Sequence, residues 1–134
     1  MRTVLFVCVH NAGRSQMAAA FFNQRAGGKA VAISAGTRPA GTVNPVVVEA
    51  MKEAGLDISA ARPRMLTLEL TEGAEKMITM GCGADAGAVC PASFIETEDW
   101  QLDDPAGQPI EIVRRIREDV KSHVELLLKE MKLV

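Results

Sequence analysis

The chain has 134 residues, of which 48% are hydrophobic and 24% are charged, and its formal net charge is -2. These values are typical of a single globular domain over residues 1–134, and the lack of a basic run argues against a nucleic-acid partner. The apolar stretch near the N-terminus is too short to span a membrane and lacks a signal-peptide cleavage pattern, so we expect a cytoplasmic protein without a membrane partner.

The first predicted elements are a strand, a helix and a second strand. An apolar run that begins at Val4 and is rich in Val and Phe is typical of a buried strand in a parallel sheet. Good helix formers at residues 16–22 predict a helix that begins near residues 13–15 and stops at Gly27 and Gly28. A second short strand is expected at residues 30–34.

A second helix is predicted in the middle of the chain. Asn44 is a suitable N-cap and Pro45 a suitable first residue for a helix that ends at Gly55. The apolar positions of this helix predict one buried stripe, formed by Val47, Val48, Met51 and Ala54.

A loop at residues 57–63 leads to a more ambiguous element at residues 67–73. Thr67 is a suitable cap for a short helix there, although Leu68 and Leu70 would also suit the alternation of a strand. A third strand is predicted at residues 76–80.

The last part of the chain begins with a segment rich in Gly and Ala at residues 81–92, which we expect to be mobile. A fourth short strand is predicted around residues 99–102. Pro105 favours a loop at residues 103–107, because the residue before a proline avoids the helical conformation. A long amphipathic helix at residues 109–132 would then bury the face formed by Ile112, Ile116, Val120, Val124 and Leu127.

Alternating strands and helices predict an α/β fold, a three-layer sandwich whose four-stranded and mainly parallel sheet is flanked by helices. Ligands of such sheets bind outside the carboxyl ends of the strands. Cys8 and Cys82 follow two predicted strands at those ends. We therefore expect the two thiols on the same face of the domain.

The loop at residues 8–15 carries the most distinctive chemistry. Backbone N–H groups and the helix dipole converge at a strand–loop–helix junction, which attracts oxyanions. The same field favours the thiolate form of Cys8, and the planar fork of Arg14 suits two oxygens of a tetrahedral anion. The pattern therefore predicts a thiolate nucleophile aimed at a bound oxyanion. The alternative, an inert Cys8 and a solvated Arg14, would leave a cation opposing the helix dipole.

The chain contains three cysteines, Cys8, Cys82 and Cys90. An odd number without an export signal favours reactive thiols over a disulfide framework, although Cys82 and Cys90 could also be buried and inert. Their spacing is not that of a zinc finger, and neither His10 nor His123 lies beside them in sequence, so we expect no metal.

Displacement at a phosphate-like centre also needs an acid that protonates the leaving oxygen. The Asp-Asp-Pro sequence at residues 103–105 offers a carboxyl group near the carboxyl edge of the sheet. A solvated turn is the equally acceptable alternative, because Asp is favoured in such turns.

The motifs together resemble a known family. Val-Cys-x2-Asn-x2-Arg-Ser at residues 7–15, Ser-Ala-Gly-Thr at residues 34–37 and Asp-Pro at residues 104–105 are similar to those of the low-molecular-weight protein tyrosine phosphatases, over nearly the whole chain. The resemblance implies that Cys8 is the nucleophile, that Arg14 clamps the oxyanion and that Asp104 is the acid. The candidates for oxyanion binding and loop bracing are Val9, His10, Asn11, Ala12, Gly13, Arg14, Ser15 and Ser34.

With Cys82 and Cys90 the chain resembles, within that fold, the arsenate reductases of the thioredoxin-coupled type. The resemblance implies that Cys8 attacks arsenate and that Cys82 and Cys90 form a disulfide relay that thioredoxin resets. No cofactor is expected, and we expect a monomer.

Three alternatives stay open at this stage. The first is a tyrosine phosphatase, although Ala106 and Gly107 stand where such enzymes resemble one another in carrying aromatic residues, and the chain has no Tyr. The second is an arsenate reductase that uses an external low-molecular-weight thiol. The third is a non-catalytic oxyanion-binding module. His10 could tune the thiolate or could be a neutral side chain facing solvent.

Overall fold

A computed structural model describes residues 2–80 and 96–134 of the chain. Within these ranges the strands are β1 (Arg2–Cys8), β2 (Ala30–Gly36), β3 (Lys76–Thr79) and β4 (Glu96–Asp99). The helices are α1 (Arg14–Ala26), α2 (Pro45–Glu53), α3 (Leu68–Glu72) and α4 (Ile110–Glu130).

The four strands form one parallel sheet in the order β2–β1–β3–β4. The register pairs Cys8 with Gly36 of β2 and Val7 with Thr79 of β3. The carboxyl ends of these strands therefore meet at one edge of the sheet, directly beside the loop that follows Cys8. The predicted fold class, a parallel sheet flanked by helices, is confirmed.

Strand β1 divides its side chains between two hydrophobic layers. Phe6 and Cys8 face the larger core, which α1, α2 and α4 cover, whereas Leu5 and Val7 face a smaller core that also contains Leu66. A strand that is buried on both faces is among the most constrained parts of an α/β domain. Cys8 therefore lies at the end of a strand that is packed on both faces.

Side-chain and glycine caps set the helix ends as the sequence predicts. Helix α1 ends at Gly27, which has a φ of 57°, in the left-handed region that glycine adopts without strain. The Asn44 side chain accepts a hydrogen bond of 2.9 Å from the N–H of Val46 at the start of α2. Thr67 accepts one of 3.2 Å from the N–H of Leu70, and residues 68–72 form a helix rather than the alternative strand.

Two expectations about the elements are wrong in detail. The fourth strand, expected around residues 99–102, occupies Glu96–Asp99 instead, because the pairing with β3 ends there and Trp100 turns into the larger core. In α2 the buried residues are Val47, Ala50 and Met51. Val48 is only half-buried, and Ala54 is exposed because the helix ends at Glu53.

The predicted loop at residues 81–92, with Cys82 and Cys90, lies outside the described residues. Among the helices that the structure describes, none combines the length and the apolar character needed to cross a bilayer.

Candidate active site

The loop at residues 9–13 directs its carbonyl groups away from a pocket. The carbonyl oxygens of Val9, His10 and Ala12 accept backbone hydrogen bonds of 2.8–2.9 Å from the neighbouring segment at residues 38–44. The Asn11 carbonyl accepts one from the side chain of Gln16, and the Gly13 carbonyl is used inside α1. Because all five acceptors are engaged, the loop's N–H groups are the backbone atoms available to an anion.

Asn11 gives the loop its curvature. Its φ of 51° lies in the left-handed region, which asparagine tolerates better than most residues, and the residue is fully buried. The side-chain Oδ1 of Asn11 accepts a hydrogen bond of 2.9 Å from the backbone N–H of Arg64. This contact ties the loop to the segment that precedes α3.

The Asn11–Arg64 contact sets the direction of the hydrogen bonds that reach Cys8. A backbone N–H can only donate, so Oδ1 of Asn11 faces Arg64 and its Nδ2 donates to Ser15 Oγ over 2.7 Å. Ser15 therefore has its own hydrogen free for Cys8 Sγ, which lies 2.8 Å away. A hydroxyl that donates to the sulfur stabilises a thiolate, as the reactivity predicted for Cys8 requires.

Arg14 is held at the start of α1 with its guanidinium against the same pocket. Its side chain is only 8% exposed, and its Nη1 donates to the carbonyl oxygen of Leu102 over 3.2 Å. The Nε atom is buried and has no acceptor among the described residues. A buried donor left unpaired costs about 1–3 kcal/mol, so an anion in the pocket would relieve this cost.

Asp104 lies across the pocket from the loop. Its Oδ2 is 3.8 Å from Arg14 Nη2, and its Oδ1 accepts a hydrogen bond of 3.0 Å from the N–H of Ala106. The next residue, Pro105, is buried against the loop, where a Cβ atom on Gly13 would lie 2.6 Å from its Cγ. The glycine therefore allows the loop that carries Asp104 to approach the nucleophile.

The pocket between these elements is a small cavity of about 30 Å³. Pockets for drug-sized ligands start at roughly 300 Å³, so this one is far too small for such ligands and suits a small anion. Its lining residues are Cys8, His10, Ala12, Gly13, Arg14, Asn44, Asp104, Pro105 and Ala106. Sequence reasoning thus named most of the lining in advance.

Two residues that the sequence predicted for oxyanion binding or loop bracing, Val9 and Ser34, do not line the pocket. Val9 is half-buried at the end of β1, and its carbonyl binds the N–H of Arg38 rather than lining the pocket. Ser34, expected to brace the loop, lies within β2 opposite Phe6 and is not among the pocket residues. At the carboxyl end of the same strand, Gly36 is the residue that touches the loop.

Sequence reasoning missed several residues that support the site. Arg64 and Leu102 contribute backbone atoms, which any residue type possesses, so no sequence pattern could have marked them. Gln16 holds the Asn11 carbonyl, and its place directly after the Arg-Ser pair was the available signal. Within residues 2–80 and 96–134, no three His, Cys, Asp or Glu side chains are grouped so as to hold a metal ion.

The model of the family described as low molecular weight phosphotyrosine protein phosphatase matches residues 3–133. The chain belongs to that family. A relative from Halobacterium salinarum, provisionally named an arsenate reductase, is 39% identical over 130 residues, which are 93% of this chain and 89% of the relative.

Solved structures of family members fit the chain closely. The thioredoxin-dependent arsenate reductase of Corynebacterium glutamicum is 35% identical with a TM-score of 0.84, and the match covers 99% of this chain but 63% of that one. The YwlE arginine phosphatase of Geobacillus stearothermophilus is 25% identical with a TM-score of 0.88, and the match covers 98% of this chain and 94% of that one. Named reductases and phosphatases therefore share this fold.

Proposed function

We propose that the protein reduces arsenate to arsenite, with Cys8 as the nucleophile and with Cys82 and Cys90 as a disulfide relay that thioredoxin resets. One observation carries the proposal. The buried sulfur of Cys8 borders an anion-sized pocket and lies 2.8 Å from the hydroxyl oxygen of Ser15, which itself accepts a hydrogen bond from Asn11 Nδ2. A role in arsenical resistance follows from this activity.

The first step forms a bond between sulfur and arsenic. The Cys8 thiolate attacks arsenate held by Arg14 and the loop N–H groups, and one arsenate oxygen departs as water after receiving a proton. Asp104 is the proton donor in this proposal, because among the described residues it is the carboxyl group that lines the pocket with Cys8. At this stage arsenic is still in its oxidised form.

The next steps reduce the arsenic and recover Cys8. The Cys82 thiolate attacks the Cys8 sulfur, the electron pair of the sulfur–arsenic bond moves to arsenic, and arsenite leaves as a Cys8–Cys82 disulfide forms. Cys90 then attacks Cys82, which frees the Cys8 thiolate, and a thioredoxin dithiol reduces the Cys82–Cys90 disulfide. Thiols stay reduced in the cytoplasm, where we expect the protein to act as a monomer.

Two features support a reductase over a phosphatase for aromatic esters. A phosphatase needs one thiol, because water releases the phosphate from cysteine, whereas this chain has three. Beside Asp104 the pocket is lined by Pro105 and Ala106, and no Phe, Tyr or Trp is among the described lining residues. Such a lining gives a phenol ring no benzene-type ring to stack on beside the Asp-Pro loop. Relatives named arsenate reductase further support this choice.

The decisive experiment is a single turnover with arsenate, without added thiol. We expect one equivalent of arsenite per protein and a Cys82–Cys90 disulfide in tryptic peptides analysed by mass spectrometry. The Cys8→Ser protein is the matched control and should give neither product, because a hydroxyl is a far weaker nucleophile at neutral pH.

Other outcomes identify the alternatives. Arsenite release only with added low-molecular-weight thiol, with Cys82 and Cys90 still reduced, would assign the external-thiol mechanism. Rapid hydrolysis of para-nitrophenyl phosphate without any arsenite would assign a phosphatase. Arsenite production by the Cys8→Ser protein would remove Cys8 from the reaction.

A further inference from the structure

Three exposed arginines have no carboxylate partner in the part of the chain that the structure describes. Arg38 and Arg64 make no ion pair there, and Arg62 donates instead to the carbonyl oxygens of Ser59 and Ala61. Four other arginines each contact a carboxylate, namely Arg2, Arg114, Arg115 and Arg117. The positive charges of the first three are therefore not compensated by a neighbouring acid.

The sequence explains why these arginines lack partners. Residues 36–48 contain Arg38, residues 58–68 contain Arg62 and Arg64, and neither stretch contains Asp or Glu. The two stretches thus carry a net charge of +3 in a chain whose net charge is -2. A local excess of one sign creates a potential that acts on ions beyond contact distance.

Backbone hydrogen bonds hold both stretches against the loop of the pocket. The N–H of Arg38 donates to the carbonyl oxygen of Val9 over 2.8 Å, and the N–H of Arg64 donates to Asn11 Oδ1 over 2.9 Å. The N–H of Gly36 donates to the Arg64 carbonyl oxygen over 2.9 Å, which joins the two stretches. The arginines therefore lie at the same edge of the sheet as the pocket.

The side of the pocket that carries the carboxylates has no comparable excess of charge. Asp103 lies 3.4 Å from Arg115, and Asp104 lies 3.8 Å from Arg14, so each carboxylate has a cation beside it. Electrostatic interactions extend over about 30 Å at 0.01 M salt and about 10 Å at 0.1 M. The exposed arginines can therefore attract an anion towards the pocket without touching it.

We propose that Arg38, Arg62 and Arg64 steer oxyanions to the pocket, because their field raises the rate at which a tetrahedral dianion arrives. They are positioning residues, since they act on the approaching anion and not on the reacting atoms. The proposal rests on the proposed function only in taking the pocket as an oxyanion site. Steering depends on charge and is screened by salt, so lysine should replace arginine and high ionic strength should abolish the effect.

The first experiment measures sulfate affinity by calorimetry at ionic strengths of about 0.02 M and 0.5 M. The Arg38→Gln/Arg64→Gln protein keeps Arg62, because that side chain binds backbone carbonyls. Its affinity should be about fivefold below wild type at the low ionic strength and within about twofold at the high one. The Arg38→Lys/Arg64→Lys protein should match wild type at both.

The second experiment measures the arrival of an anion through alkylation of Cys8. Iodoacetate carries a negative charge, whereas iodoacetamide has nearly the same size and no charge. At low ionic strength the Arg38→Gln/Arg64→Gln protein should react about twofold to threefold more slowly with iodoacetate and at the wild-type rate with iodoacetamide. Mass spectrometry of the tryptic peptide that contains Cys8 gives both rates.

The matched control removes two charges at the opposite edge of the sheet. Lys29 precedes β2, and Lys132 follows Met131, whose carbonyl oxygen binds Arg2 at the start of β1. The Lys29→Gln/Lys132→Gln protein should keep wild-type affinity and alkylation rates.

Three results would overturn the proposal. The first is wild-type affinity in the Arg38→Gln/Arg64→Gln protein at low ionic strength. The second is an equal loss in the lysine control, which would indicate an effect of net charge alone. The third is a loss that persists at high ionic strength or in the Arg38→Lys/Arg64→Lys protein, which would indicate a direct contact. Arsenite assays test the proposed function separately, because sulfate binding requires only the pocket.

Discussion

Gly36 and Val9 approach so closely that a Cβ atom on the glycine would lie 2.6 Å from the carbonyl oxygen of the valine. The same atom would lie 2.9 Å from the backbone nitrogen of Asn11. Real Cβ atoms essentially never make such contacts with backbone, so the end of β2 determines how closely the loop can lie beside it. The shape of the anion pocket thus depends on the absence of a side chain one strand away.

Replacement of Gly36 with Ala should displace the loop. We expect the free energy of unfolding to fall by about 1–3 kcal/mol, because the extra methyl group meets backbone rather than a flexible side chain. Sulfate affinity should fall as well. The control is Gly41→Ala, since nothing lies within 4 Å of a Cβ atom there. Thermal unfolding and calorimetry check both variants, and equal behaviour would show that the loop adapts without cost.

Replacement of Arg14 with Lys should lower kcat by about 10²–10³-fold. The lysine keeps a charge but loses the planar fork, which binds the Leu102 carbonyl through Nη1 while Nη2 and Nε lie beside the pocket. Steady-state arsenite production measures the effect. The Arg115→Lys variant, which alters an exposed pair with Asp103, is the control and should retain wild-type activity. Full activity of the Arg14→Lys protein would contradict the proposed binding of the oxyanion by the Arg14 guanidinium.

Replacement of Asp104 with Asn should slow formation of the arsenic adduct but not the later disulfide steps, because only the first step needs a protonated leaving oxygen. Quenched single-turnover samples analysed by mass spectrometry separate the two phases. The neighbouring Asp103→Asn variant is the control, since that side chain is exposed and pairs with Arg115. If Asp103→Asn slows the adduct instead, the acid is Asp103.

The relay predicts different end states for two variants. Cys90→Ser should release one equivalent of arsenite and then stop with a Cys8–Cys82 disulfide, because nothing in the chain can recover Cys8. Cys82→Ser should accumulate the arsenic adduct and release arsenite only with added thiol. Peptide mapping distinguishes these states. Repeated turnover of Cys90→Ser with thioredoxin at the wild-type rate would be incompatible with a three-thiol relay.

Acid should weaken a bridge between α2 and α4. Glu53 lies 2.7 Å from Arg114 Nη2 and 3.1 Å from Arg117 Nη1, and the hydrogen bond from Arg114 lowers the pKa of Glu53 below its usual 4.5. A pKa lower in the folded state gives stability above the unfolded value that is lost as the pH falls. Glu53→Gln should therefore lower the Tm near pH 7, and by progressively less as the pH falls below the usual 4.5. An exposed glutamate, Glu125, gives the control Glu125→Gln.

The sequence revealed most elements because their signals are local. The caps at Asn44 and Thr67 and the stop at Gly27 are formed by the residues themselves, so the helices were predictable. Strand β4 was misplaced because its sequence, Glu-Thr-Glu-Asp, has no apolar alternation. An edge strand can be this polar, and the register with β3 decides its limits.

The candidate site also has residues that the sequence could predict and residues that it could not. Cys8, Arg14 and Asp104 were predictable because their side chains carry the chemistry, and the pocket brings them together. Arg64 and Leu102 were not, since their contribution is a backbone group placed by tertiary structure. The relay through Cys82 and Cys90 stays a prediction.

The hydrogen-bond donors of the pocket also determine at which step of the reaction the protein can distinguish arsenate from phosphate. Arg14 Nε, which has no acceptor among the described residues, and the N–H groups of the loop suit any anion of this charge and tetrahedral shape, which phosphate and arsenate share. Affinity alone therefore discriminates poorly between the two anions. Under the proposed mechanism, selectivity is kinetic: either anion can occupy the pocket, but only arsenic accepts the electron pair when a second thiol attacks sulfur. Phosphate would then be a competitive inhibitor, and it would delay the reaction without being changed.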